Sequence, residues 1–553
     1  MFRKKQTVGQ FIFDYLYKQG VTHAFGIPGD FALATFRWLN ESKIKIITLT
    51  HEPSVGFAAD CYARSKGLGV GVVTYCVGGL NTLNSIACAY AEKSPVLLIS
   101  GGPSPEDRKK DPLVHHKVRT FDSQKTIYDE VTCASTILLD PKKAAKEIVR
   151  VVEEVKRQSR PGYIEIPFDV VDMVIDIPDD LFERENSESK SDPEILKECI
   201  KEITKKINKA KKPVIIAGVE LHRFGLTDLA SKLAKEHNIP IAATLLGKSV
   251  VRETNPLYIG VYSGALSEDK CRKYVEKSDC VILLGAFISD VLLGFNAEAL
   301  NRNNTIVLNI DKTQVGLHSY SDILFKDILE NMVNAPIKKR EKFNNPNPVK
   351  FPKALESSKR NKPLDVESMF QILSSNLDEG STIICDTGDA LVGAIDLRSD
   401  MRQHFFSDAY YLSMGFATPA TVGAMVAEPN SKTYTIVGDG AFQMTGMELS
   451  TIAKMGLDPV VIIINNDGYG TQRHIIDGPF NNIHMWDYTK ICELLKYGKA
   501  VKVQTKGQMD DALKEAKNHD ELYLIEAIVP KNSCSGNLKR MGEAIGKLRD
   551  KDK

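Results

Sequence analysis

Ile436-Val437-Gly438-Asp439-Gly440-Ala441-Phe442-Gln443-Met444 is the stretch on which the reading of this chain turns, and Ile463-Ile464-Asn465-Asn466-Asp467-Gly468 answers it downstream. Each begins as an apolar run of strand length. The first then opens into a turn of small residues carrying one carboxylate, followed by a helix-like stretch. The second ends in two amides and a glycine. The side chains of Asp439 and Asn466 offer hard oxygen donors, Gly468 offers a backbone carbonyl, and Gly438 and Gly440 let a phosphate approach the main chain. Mg²⁺ takes such oxygens and completes its octahedron with water and phosphate. A Gly-Asp-Gly alone marks only a turn. Two such segments, closing two successive buried strands, predict a diphosphate–metal site.

Working outward, short β-branched runs alternate with helical stretches along the whole chain. His23–Ile27, Ile44–Leu49, Gly69–Tyr75 and Val96–Ser100 read as strands in the first part. Val214–Ala217, Val281–Leu284 and Ile306–Ile310 do so in the second, and Thr382–Cys385, Thr433–Val437 and Val460–Ile464 in the third. Continuous apolar runs of this length between helices suit parallel strands covered on both faces. The expected fold class is therefore α/β, with three doubly wound parallel-sheet domains, and the outer two are candidates for one shared architecture. Two polar stretches, Asp179 to Glu194 and Lys338 to Pro363, read as solvated linkers. They place the expected domains at residues 1–178, 195–337 and 364–553. Ligands of such sheets bind at the carboxyl ends of strands, where Asp439 and Asn466 fall.

At 553 residues the chain is too long for one core. Its formal net charge is +1, which points to neither nucleic acid nor a membrane surface as partner. No apolar run reaches bilayer-spanning length, and the basic N-terminus continues into a helix-like pattern without a signal-peptide core. The ten cysteines are scattered, with no Cys-x-x-Cys pair. They read as reduced thiols of a cytoplasmic enzyme, not as a zinc site.

Three further features carry chemistry. Thr48-Leu49-Thr50-His51-Glu52-Pro53-Ser54 places Glu52 at a strand end, where a helix begins among small and apolar residues. Taken alone, such a glutamate is a first-turn residue favoured by the helix dipole. Gly26-Ile27-Pro28-Gly29-Asp30 presents Asp30 at the lip of a Pro-Gly turn. His115 and His116 lie together in a polar loop, and imidazoles are the side chains best suited to moving protons near neutral pH.

Together, the Asp30 turn, the Glu52 segment, His115-His116 and the Gly438-Asp439-Gly440 and Asn465-Asn466 pair resemble the thiamine-diphosphate-dependent 2-oxo-acid decarboxylases, the pyruvate, indolepyruvate and phenylpyruvate group. The resemblance runs through Asn81–Ala87, Ala91–Val96 and Arg160–Pro167 and covers nearly the whole chain. Acetolactate synthases and benzoylformate decarboxylases share the cofactor motifs but not, typically, the double histidine. The likeness implies thiamine diphosphate and Mg²⁺ as cofactors, with the thiamine-binding fold in the first and third domains. It implies that Glu52 meets N1′ of the aminopyrimidine, where a carboxylate favours the imino tautomer. It further implies that Asp30, His115 and His116 orient a 2-oxo acid and move protons, and that Asp439, Asn466 and the Gly468 carbonyl bind the metal. Gly438, Gly440 and Ala441 would line the diphosphate. Met414 would wedge between the cofactor rings, and Thr387 would lie near the substrate. A homodimer or homotetramer, with active sites at the dimer interface, is the implied assembly.

One position departs from the family. Gln472 stands where these decarboxylases usually place a glutamate, and an amide cannot donate a carboxylic proton. Either Asp30 and the histidines deliver protons alone, or aldehyde leaves slowly. The latter would favour a carboligase that passes the decarboxylated fragment to another carbonyl. A non-catalytic thiamine-fold protein is the third reading, against which Glu52, Asp439 and Asn466 all stand. The middle domain has Ala217-Gly218 and Asp311 after strands but no Gly-x-Gly-x-x-Gly, so it reads as structural. Ala390 and Leu391 follow Thr387 where relatives acting on small substrates often carry bulkier side chains, which implies a larger apolar 2-oxo acid.

Overall fold

Three sheets organise the chain, and the apolar runs form the centres of all three. The computed structural model describes residues 5–178, 181, 190–290, 293, 300–341, 343–350, 352–398 and 404–551. The first sheet is ordered Lys45–Thr48, His23–Gly26, Gly69–Val73, Val96–Gly102, Gly162–Pro167, Ala134–Ile137. The third is ordered Phe405–Ser407, Thr382–Cys385, Thr433–Gly438, Val460–Asn465, Tyr523–Ile528, Lys499–Val503. Every pairing in both is parallel. Numbered along the chain, each reads 2-1-3-4-6-5, so the outer sheets do share one topology. Strand order reverses beside strand 1, and the crevice at such a reversal is where doubly wound sheets hold ligands.

The central sheet departs from the parallel expectation at one edge. Tyr258–Val261, Ile241–Ala243, Pro213–Ala217, Cys280–Leu284 and Thr305–Leu308 are parallel neighbours. Thr313–Val315 and His318–Tyr320 then add antiparallel strands. A tight turn explains the reversal, because Asn309 and Lys312 exchange backbone hydrogen bonds at 3.0 and 3.4 Å. A second antiparallel pair, Lys5–Thr7 with Val174–Asp176, ties the N-terminus down.

Part of the second polar stretch lies outside the described residues, and the rest is not a freely solvated linker. Asn345 donates to the Tyr258 carbonyl at 2.7 Å, and the buried Asn347 amide donates to Ile259 O and Glu268. Arg340 donates to Ile207 O. Amide and guanidinium side chains here satisfy backbone carbonyls of the central sheet region, which composition alone reads as solvation. Most of the first polar stretch lies outside the described residues.

The chain forms two compact units. One comprises Met1–Glu188, Ser413–Ser431 and Gln443–Leu457; the other comprises Ser189–Leu412, Lys432–Phe442 and Asp458–Lys553. In the first unit the helix Glu52–Lys66 is the pivot. Pro53 starts it, Gly67 at φ +82 ends it, and small residues let it be buried on every side. Helix Ala417–Ala427 lies against it so closely that a Cβ on Gly423 would sit 2.1 Å from the Ala58 carbonyl oxygen. Asp60 and Arg64 form a buried two-point ion pair at 2.8 Å on the same helix, with Arg64 stacked over Phe416. In the second unit, Leu245, Val261 and Leu266 of the central part join the core of the third sheet.

Candidate active site

Asp30, Glu52, Thr387, Asp439 and Asn466 each follow closely on the end of a strand, and the two units hold different sets. The first unit carries Asp30, Glu52, His115, His116 and Met414. The second carries Thr387, Gly438, Asp439, Gly440, Ala441, Asn466, Gly468 and Gln472.

Glu52 opens its helix directly after strand Lys45–Thr48. Its carboxylate is half-buried and accepts the Asn81 side-chain amide at 2.8 Å. Gly78 lies beneath it, where a Cβ would meet Thr74 at 3.2 Å, Val73 at 3.3 Å and Glu52 Cγ at 3.9 Å. The turn before it is anchored by the buried Glu448, which accepts Thr50 N at 3.1 Å and the Thr50 hydroxyl at 2.6 Å. Sequence reading assigned no role to Asn81, Gly78 or Glu448. Asn81 and Glu448 lie 29 and 398 residues from the groups they hold, and no local pattern encodes such contacts.

Asp30 and the double histidine come together, although 85 residues separate Asp30 from His115. His115 Nε2 hydrogen-bonds Asp30 Oδ2, and His116 Nδ1 stands 3.9 Å from Asp30 Oδ1. Partial burial would raise the Asp30 carboxyl, but the His115 bond, with the Phe31 N–H and both imidazoles, holds it below the usual carboxylate value. The loop bearing the histidines is fastened at both ends. Arg108 pairs with the buried Glu165 and with Asp122 at 2.8 Å, and Tyr75 donates to Phe121 O at 3.1 Å. Burial pushes the Glu165 carboxyl up to about 7, against the pull of Arg108 and Tyr163. Met414 is half-buried in a turn held by Asn84 donating to Ser413 Oγ at 2.8 Å and by Thr445 donating to Gly415 O at 2.8 Å.

In the second unit Asp439 is 1% exposed. Its carboxylate accepts three backbone N–H groups: Gly440 at 2.7 Å, Asn466 at 3.2 Å and Gly468 at 3.0 Å. Burial pushes it up to about 6, while these donors pull it back. The hydrogen bonds join the two quoted segments; Oδ2 accepts two of them and Oδ1 one, which leaves a lone pair on Oδ1 for a cation. Glycines keep this site close-packed. A Cβ on Gly440 would strike the Tyr469 ring at 2.5 Å, and one on Gly470 would strike the Asn466 amide at 2.1 Å. At Gly468, φ is +123 and a Cβ would meet Asn481 O at 2.1 Å. Gly438 differs, since a Cβ there would meet nothing within 4 Å, so its main chain is open to a bulky group.

Thr387 follows strand Thr382–Cys385 in a turn where Gly388 takes φ +85. A Cβ on Gly388 would lie 3.0 Å from the Thr471 hydroxyl, which brings the neighbouring, exposed Gln472 to the same rim. Asn465 is taken up structurally, donating to the buried Glu526 at 2.7 Å. Ala390 and Leu391 are buried in the core of the second unit. Phe31 was also missed. It stacks on His115 with 4.9 Å between ring centroids, and its only sequence signal is its place beside Asp30.

Family models agree with this geometry. The N-terminal TPP binding domain of thiamine pyrophosphate enzymes matches residues 6–127, their central domain residues 200–330, and their C-terminal TPP binding domain residues 386–527. An indole-3-pyruvate decarboxylase of Azospirillum brasilense is 33% identical over 538 residues, covering 96% of this chain and 97% of its own. An alpha-keto-acid decarboxylase of Mycobacterium avium is 31% identical over 95% of this chain and 94% of its own. Pyruvate decarboxylase 4 of Arabidopsis thaliana is 29% identical over 98% and 92%. With likeness from end to end and the cofactor motifs at matching strand ends, the chain belongs to the thiamine-diphosphate-dependent 2-oxo-acid decarboxylases.

Proposed function

We propose that this protein removes CO₂ non-oxidatively from a 2-oxo acid and releases the aldehyde, using thiamine diphosphate with Mg²⁺, the family's usual partner metal. The observation that carries this reading is the convergence of Asp30, His115 and His116, in a chain whose full-length relatives are named as decarboxylases. Those names do not favour the carboligase alternative.

The residues present fit the cofactor. Asp439, a buried carboxylate held only by N–H donors in its hydrogen bonds, is suited to a divalent cation, with the Asn466 amide and Gly468 carbonyl as companion oxygens. The open face of Gly438 and the N–H groups of Gly440 and Ala441 suit a diphosphate. Bound there, thiamine diphosphate supplies the carbanion chemistry of decarboxylation. Glu52 holds a proton at N1′ of the aminopyrimidine, with Asn81 keeping its carboxylate aimed. Met414 would pack against the cofactor, and Thr387 would lie on the substrate side. His115 and His116 bind the 2-oxo acid and deliver the proton that the aldehyde carbon acquires, while Asp30 orients His115. Gln472 can hydrogen-bond the substrate carboxylate but adds no proton.

The domain limits 1–178, 195–337 and 364–553 belong to the same proposal, supported by one of the three large sheets falling in each. So does a homodimer or homotetramer in which the first domain of one copy completes the third domain of another. A cytoplasmic location is supported by the ten cysteines, none of which stands in a disulfide. Among the described residues no helix is long and apolar enough to cross a membrane. The test is a product assay. With Mg²⁺, thiamine diphosphate and a panel of 2-oxo acids, CO₂ and free aldehyde should appear together in equal amounts. CO₂ accompanied mainly by 2-hydroxyketone would overturn the lyase reading.

A further inference from the structure

The Asp30–His115–His116 cluster has a second chemical property, independent of proton transfer. One ligand atom from each residue, a carboxylate oxygen and two imidazole nitrogens, lies within 4.8 Å of the other two. The rings are held in place. Phe31 stacks on His115 and meets His116 edge-on at 5.9 Å, and the two imidazoles stand 4.7 Å apart at 78°. His116 takes φ +66, a left-handed backbone that side chains seldom adopt. Its Nδ1 is buried and has no hydrogen-bond partner, a condition that costs free energy unless the nitrogen is engaged. The Thr74 hydroxyl, 3.5 Å from Asp30 Oδ1, is an outer donor able to orient the carboxylate.

We propose that Asp30, His115 and His116 form a second metal site, one that takes Zn²⁺ or a first-row neighbour such as Co²⁺ and not Mg²⁺. Two imidazoles and one carboxylate are a donor set for these borderline cations, and three protein ligands leave coordination positions open. Mg²⁺ prefers oxygen throughout, so the all-oxygen set at Asp439 and this nitrogen-rich set select different ions. A bound cation takes the place of the hydrogen bond between His115 Nε2 and Asp30 Oδ2, with His116 as the third donor. Binding rests on this geometry alone. Its consequence, inhibition, rests also on the reading of these residues as the proton-moving groups, because a bound cation occupies the same nitrogen lone pairs.

The experiment titrates the holoenzyme, kept in thiamine diphosphate and excess Mg²⁺, with Co²⁺ and reads the visible d–d absorption of nitrogen-ligated cobalt. One Co²⁺ per chain should bind, displaced by Zn²⁺ and indifferent to further Mg²⁺. His115→Gln and His116→Gln should each weaken binding by at least the ~10–100-fold that loss of even an outer-shell partner costs. Melting curves of both variants establish that they are folded, and Asp30→Asn gives a third, independent removal of a ligand. An absent band in the parent, a band unchanged in all three variants, or displacement by Mg²⁺ would overturn the site. Zn²⁺ should also stop turnover, reversibly on chelation. Binding without inhibition would keep the metal site and overturn the proton-moving role of the histidines.

Discussion

At the scale of single residues, the chemistry depends on which groups can carry a proton and which cannot. The Asn81 amide donates to Glu52 and orients its carboxylate. Glu52→Gln should keep the fold, with an unchanged circular dichroism spectrum, and lose roughly a thousandfold of turnover or more, within the usual span of acid–base effects. Full activity in that variant would remove the centre of the functional reading. Gln472 is exposed at the Thr387–Gly388 rim, where a carboxylic acid could donate and the amide cannot. Gln472→Glu should therefore speed aldehyde release and lower any hydroxyketone formed with an added acceptor aldehyde. An unchanged rate and product ratio would make it a bystander.

At the scale of elements, legibility followed length and locality. Val460–Ile464 is five apolar residues, and the structure makes it a central strand. Thr313–Val315 and His318–Tyr320 have three residues each, too few for a period to show, and they went unseen along with the antiparallel edge they build. Candidate site residues inside motifs, such as Asp439 and Asn466, were visible because neighbours in sequence are neighbours at a strand end. Their supports were not, since Asn81, Glu448 and the Arg108–Glu165 pair act across the fold. One close approach of two helices also lay hidden. Gly423 reads as an unremarkable helix glycine, yet the helix Glu52–Lys66 passes where its side chain would be. Gly423→Ala should cost about 1–3 kcal/mol, the usual range for overpacking. Lower urea midpoints without a change of slope would show it, and a neutral effect would mean that the two helices can part.

At the scale of the whole molecule, buried charge and assembly set the measurable behaviour. Glu165 moves from an ordinary 4.5 to about 7 on burial. Across that window the folded chain holds a proton that the unfolded chain has released, so this group's contribution falls as pH rises and levels off above about 7. Glu165→Gln should flatten that part of the stability profile, read as urea midpoints from about pH 5 to about pH 8. A profile as steep as the parent's would contradict it. Assembly is tested by mixing. Inactive Glu52→Gln and Asp439→Ala chains should together regain activity, because some mixed dimers hold one site with both groups intact. A fully active monomer on a sizing column would rule that out.

The two compact units are interleaved along the chain, which passes from one to the other five times, at 188, 412, 431, 442 and 457. Neither unit can therefore be excised by a single cut. A fragment ending at residue 188 would lack Ala417–Ala427, leaving the Ala58 face of the Glu52 helix bare. Recombination that exchanged whole modules at one junction would strand helices from their strands. The Glu52 helix therefore owes its packing to two stretches of chain more than 300 residues apart, and any cut between them separates helix from helix.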